Sequence, residues 1–150
     1  MNDIRTVDYL ANKFRDAIEK CVFESPPMNR FPLGCCGEAS ILLSQYFIDC
    51  GISAHYQYGE FIRGVGQLSQ SHAWIVLNDG IIVDITGDQF KDYIEFDFYN
   101  IPVYVGEETK FHKSFRKGPL LPGGFNRFDT QTADRFSKLY KIIVSTVSQE

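Results

Sequence analysis

Residues 31–40 of this chain read FPLGCCGEAS, placing adjacent Cys35 and Cys36 between a glycine turn and the start of a helical pattern. A thiol at a helix N-terminus feels the positive end of the helix dipole, which lowers its pKa and favours the nucleophilic thiolate. Three histidines accompany the pair, at 55, 72 and 112. His72 opens the run HAWIVLN straight after a polar, small-residue loop, and Asp84 lies in IIVDIT beyond Asp79-Gly80. An imidazole within hydrogen-bond reach of a thiol takes its proton. A carboxylate on the other ring nitrogen then fixes the tautomer and orientation of that imidazole. Helix-start cysteine, strand-start histidine and next-strand aspartate are the parts such a nucleophile needs. Zinc bound by Cys35, Cys36, His72 and Asp84 is the competing chemistry. It is disfavoured, because adjacent cysteines lack the spacer that separates paired ligands in tetrahedral sites.

The elements that must bring these residues together are legible in the periodicity. Ile4, Val7, Leu10, Ala11, Phe14, Ala17, Ile18 and Cys21 recur at spacings of three and four, which predicts a helix over 3–21 capped by Asp3 or Asn2. The prolines of ESPPMNRFPLG exclude regular structure there. A second helix is predicted from Cys36 to about Cys50, with Ala39, Leu42, Leu43, Tyr46, Phe47 and Cys50 inward and Gly51 as its stop. Periodicity does not choose between Cys35 and Cys36, which lie equally far from the centre of that stripe. ISAHYQYGEF then reads as a strand, and RGVGQLSQS as a loop. Asp79-Gly80 between two apolar runs predicts a hairpin. That turn sets His72 opposite a residue near Thr86 or Gly87, with Asp84 as its diagonal neighbour. IPVYVG adds a further strand, KGPLLPGGFNRF a loop, and residues 130–147 a closing helix with Phe136, Leu139, Tyr140, Ile143 and Val144 inward. Helix first, antiparallel strands next and helix last is an α+β order in a single domain over 1–150.

Gly34-Cys35-Cys36, Gly51-Ile52, His72-Ala73-Trp74 and Asp84-Ile85-Thr86 together resemble the transglutaminase-like branch of the papain-like cysteine protease superfamily. The likeness covers about residues 31–90. It implies a papain-like fold in which a central cysteine-bearing helix packs on a small antiparallel sheet carrying histidine and aspartate. It further implies a Cys-His-Asp triad acting on amides or thioesters, as a peptidase, deamidase or acyl transferase, with no cofactor. The pattern favours Cys36 as nucleophile, with His72 as base then acid and Asp84 orienting His72. The backbone N–H of Cys36 supplies one oxyanion donor. Loop 62–71, running into His72, becomes the expected gate and recognition element. The expected substrate is a peptide or protein amide. The alternative is a binding module that keeps this fold without chemistry.

The remaining composition narrows the setting. Fifteen Lys and Arg against 19 Asp and Glu give a net charge of −4, which argues against a dedicated nucleic-acid binder. No membrane span and no signal-peptide h-region are expected, so the reading is cytoplasmic with reduced thiols. Cys21 and Cys50 read as structural, and His55 as a strand residue at the surface or rim. His112, in the basic run KFHKSFRK, reads as part of a solvated surface segment. Asp88 and Gln89 are either supports of the site or turn residues. Trp74 is core, walling the site, and Ser40 lets the helix pack closely on the sheet.

Overall fold

The computed structural model describes residues 2–61 and 69–149. Helix α1 (Ile4–Lys20) is capped by Asp3, whose carboxylate accepts from the Arg5 N–H at 3.1 Å. Val7, Ala11, Phe14, Ala17 and Ile18 are buried as the stripe requires, while Ile4 in the first turn is exposed. The proline-rich stretch after it is not wholly irregular, since Met28–Arg30 form a 3₁₀ turn that buries Met28. Helix α2 (Cys36–Asp49) starts at the second cysteine, with Cys35 at the N-cap. It buries Ser40, Ile41 and Ser44 as well as Ala39, Leu42, Leu43 and Phe47, as a helix enclosed by other layers does. Cys50, expected inward, is exposed at its C-terminal cap.

Strands β1 (Ala54–Phe61), β2 (Gln70–Leu77), β3 (Ile82–Asp84) and β4 (Tyr104–Gly106) form an antiparallel meander. Two two-residue strands, β5 (Arg116–Lys117) and β6 (Leu121–Pro122), cover the outer edge of β1. The sheet order is β4-β3-β2-β1-β5, with β6 also on β1. Residues 117–128 are therefore more than the expected loop. Their prolines are tolerated because an edge strand can spare ladder donors. Of the expected gate 62–71, residues 62–68 lie outside the described residues, and Gln70 and Ser71 are already strand. The hairpin is as tight as predicted, with Gly80 N–H donating to Leu77 O at 2.9 Å. Its register pairs Ile75 with Val83 and Val76 with Ile82. Continued three residues beyond the Ile75–Val83 pair, that register sets Thr86 opposite His72 and leaves Asp84 diagonal to it.

Alternation along the strands gives the sheet two different faces. Ala54, Ile75, Leu77 and Val83 face the aliphatic core shared with α1, α2 and the closing helix α4 (Thr130–Ser148). Trp74 and Ile82 face a second, aromatic core completed by Phe90, Phe96, Phe111 and Phe115. Those phenylalanines come from 3₁₀ turns at Gly87–Phe90 and Ile94–Phe96 and from the short helix α3 (Lys110–Lys113) with the residues after it. The chain is thus α+β, a small antiparallel sheet with helices. Among the described residues no helix is long and apolar enough to cross a membrane.

Candidate active site

Cys36 is the first residue of α2, two residues after Gly34, whose φ of +67° makes the turn that delivers the chain into the helix. Ser40, one turn on, donates to Ala73 O at 3.3 Å and pins this end of α2 to β2. The half-buried Cys36 thiol lies near His72, Gln89 and the Ala73 backbone, each of which acts to lower its pKa. His72 Nε2 lies 2.7 Å from Asp84 Oδ2, and both side chains are almost fully buried, at 0% and 1% exposure. Asp84 Oδ1 accepts from the Thr86 N–H at 3.0 Å. Gly87 lets the next turn close over the carboxylate. A Cβ there would stand 2.5 Å from the Tyr99 ring and 3.3 Å from Asp84 Oδ2. The three residues read from the sequence as a unit are therefore neighbours in space.

Electrostatics separate the two cysteines. Burial acts to raise the Cys36 pKa, but the bonds and charge of His72 and the contacts with Ala73 and Gln89 outweigh it, leaving the thiol more acidic than usual. Cys35 points into the aliphatic core and has no such partners, so burial pushes its thiol up to about 12. Burial alone would lower the His72 pKa. Asp84 and Cys36 reverse that and lift it to about 9. Asp84, buried yet facing two imidazoles, is held well below the usual carboxylate range. A thiolate, an imidazolium and a carboxylate in series is the charge pattern these shifts describe.

The second imidazole is the main correction to the sequence reading. His112 belongs to no solvated segment: it is 0% exposed, and its Nε2 lies 2.7 Å from the same Asp84 Oδ2. Lys110 and Lys113 do face solvent, but Phe111 and Phe115 drive the other side of that turn into the aromatic core and carry His112 with it. Thr109, three residues before His112 and capping α3, was the available signal for a helix start in that run. His55 is partly exposed on β1, away from this cluster.

Asp88 and Gln89 also resolve. Asp88 takes the Arg15 guanidinium in a two-bond fork, 2.8 Å on each side. The Gln89 amide end lies 3.2 Å from His72 Nδ1. Tyr56 presents its hydroxyl 3.3 Å from where a Cβ of Gly37 would be, so it flanks the thiol from β1. Burial, with the neighbouring Cys36 charge second, pushes this phenol up to about 12.

Among the described residues, His72, Asp84 and His112 each offer one ligand atom within 4.8 Å of the others, a donor set that suits a metal ion. Two ligands on one tetrahedral zinc, each ~2.0–2.1 Å from it, stand roughly 3.3 Å apart. Here each imidazole nitrogen is 2.7 Å from one shared oxygen, the length of a charge-assisted hydrogen bond. The residues fit a hydrogen-bonded network better than a metal centre. Comparison of the chain with known protein families, curated proteins and solved structures finds no match. The functional reading therefore stands on the site itself.

Proposed function

We propose that this chain is a papain-like, transglutaminase-like thiol enzyme acting on a peptide or protein amide, or on a thioester, without a cofactor. The observation that carries this reading is the Cys36 thiol at a helix N-terminus, in contact with a buried His72 whose other nitrogen is 2.7 Å from Asp84. The Cys36 thiolate attacks the acyl carbon, forming a C–S bond and sending the carbonyl electron pair to oxygen. The Cys36 backbone N–H, the Gln89 amide and the Tyr56 hydroxyl are the donors flanking the thiol that would receive this oxyanion. Collapse breaks the bond to the leaving group, which takes the proton held on His72. The neutral imidazole then draws a proton from the second nucleophile, which displaces the thiolate from the acyl group. Water as that nucleophile makes the enzyme a peptidase or deamidase, and an amine makes it an acyl transferase.

Site-resolved alkylation near neutral pH tests the assignment. Cys36 should react fastest, slow at least tenfold on His72→Ala, and be irreplaceable for labelling by an acylating probe. Cys35→Ala should leave that labelling largely intact. Labelling that survives Cys36→Ala and vanishes with Cys35→Ala would reverse the roles. Uniformly slow thiols would make the chain a binding module on this fold. Incubating the wild type with peptide and glutamine acyl donors, with and without an added amine, then separates hydrolysis from transfer.

A further inference from the structure

Cys36, His72 and Asp84 form the line of groups through which the proposed proton transfers run, and a further titratable side chain is buried against them. His112 is wholly enclosed, and it shares Asp84 Oδ2 with His72 at the same 2.7 Å. An ionised carboxylate only accepts, so both Nε2 atoms must carry the proton of their bond. On its other side, His112 Nδ1 lies 2.7 Å from Thr109 Oγ1, which also accepts from the His112 backbone N–H at 3.1 Å. The Thr109 hydroxyl proton can then serve Nδ1, which fixes the imidazole in the Nε2–H tautomer facing Asp84. Counting Thr86, the buried carboxylate has three donors, one from each of three segments of the chain.

We propose that His112 is a positioning residue of a Cys36-His72-Asp84-His112 tetrad, its Nε2–H holding Asp84 ionised and aimed at His72. This rests on the thiol-enzyme reading and deepens it. Without that donor, the buried carboxylate holds its charge less easily and competes for the proton on His72. Thiolate Cys36 then loses its imidazolium partner, and its titration moves to higher pH. The groups around His112 are Asp84 from β3, His72 and Trp74 from β2, Tyr99 from the segment leading into β4, Tyr104 from β4 itself, and Phe111 from α3. Asp84 and His72 are the charged pair among them. Burial keeps the Tyr99 phenol protonated well above its ordinary value.

The test is the pH profile of Cys36 alkylation, read by mass spectrometry, in wild type, His72→Ala, His112→Gln, His112→Asn and His112→Leu, with thermal melting of each. A Gln amide N–H reaches the place of Nε2, whereas Asn reaches only that of Nδ1. His112→Gln should keep the wild-type midpoint. His112→Asn and His112→Leu should each raise it by about one pH unit, a roughly tenfold loss of thiolate below the midpoint. If the Leu variant does not fold, the comparison of Gln with Asn decides. Equal midpoints in all His112 variants, or a Gln shift as large as the Asn shift, would overturn the role of His112 while leaving the thiol enzyme standing. A wild-type thiol that reacts only above pH 8, indifferent to His72→Ala, would instead remove the reading beneath it.

Discussion

At the residue scale, the site works through opposed shifts on three neighbouring groups, and their signs set its pH window. His72, raised from 6.5 to about 9, contributes stability that is full below its ordinary pKa and lost as pH climbs through about 9. Cys36 is lowered from 9.0 and Asp84 is depressed, so their contributions are full above their ordinary values and lost as pH falls through the folded ones. The thiolate–imidazolium pair therefore exists between the lowered Cys36 value and about 9. On the proposed thiol-enzyme mechanism, kcat/KM for an acyl substrate should be bell-shaped with its alkaline limb near 9, because there the leaving group takes the proton on His72. Asp84→Asn removes the charge that outweighs burial at His72. The imidazole should then titrate below 6.5, and Cys36 alkylation should move up toward the 9.0 of an ordinary thiol. Stopped-flow alkylation across pH 4–10 checks this, and an unmoved profile in Asp84→Asn would detach the carboxylate from the mechanism.

At the element scale, the candidate site is held by a helix that supplies none of its proposed reacting groups. Arg15 on α1, 6% exposed, forks onto Asp88 and donates to Ile85 O and Pro102 O, each at 2.8 Å. It thereby fixes the turn between Asp84 and Gln89, the two residues that touch opposite nitrogens of His72. Removing one partner of such a pair strands the other charge, so Arg15→Met should cost about 3 kcal/mol in urea unfolding. It should also slow Cys36 alkylation by loosening Gln89. Adding Asp88→Leu should restore the part of the stability lost to the stranded carboxylate, but neither the part lost with the Ile85 and Pro102 carbonyl bonds nor the reactivity, since the clamp would still be gone. Full recovery of both would mean the clamp is stabilising only. This fork also marks where sequence reading ran out. Periodicity found α1, α2, the hairpin and α4, and the Asp79-Gly80 turn gave the His72–Asp84 diagonal, because these are local patterns. Arg15 sits beside Phe14 on the edge of the apolar stripe; spacing reaches Glu19 one turn on, but the partners that matter to the site lie 70 to 87 residues away, where no spacing rule reaches. The charges in KFHKSFRK likewise masked Phe111, His112 and Phe115 as one inward side of a short turn.

At the scale of the whole molecule, the sheet divides two cores that have different relations to the site. The aliphatic core under α1, α2 and α4 carries much of the helical packing, whereas the rings of the aromatic core stand directly around His72 and His112. His72 has Trp74, Phe90, Phe111 and Phe115 around its ring, with centroids 5.1–5.6 Å away. These rings keep water from Asp84 and strengthen every charge interaction there. Phe115 also closes against Gly59 of β1, where any Cβ would lie 2.8 Å from its own. Two truncations of similar thermodynamic weight can therefore be told apart. Phe115→Ala, at 2% exposure, should cost about 3–5 kcal/mol, and Ile143→Ala, at 0% exposure on α4, about 2–5 kcal/mol. Under conditions where both variants are folded, Ile143→Ala should keep the wild-type pH profile of Cys36. Phe115→Ala should admit water beside Asp84 and His112, weaken the lift on His72 and move the alkaline limb of kcat/KM below 9. Urea melts fix the stability of each variant, and the pH profiles then read the site separately. If the two variants shift the limb equally, the aromatic core is packing like any other, and its enclosure of the tetrad has no electrostatic consequence.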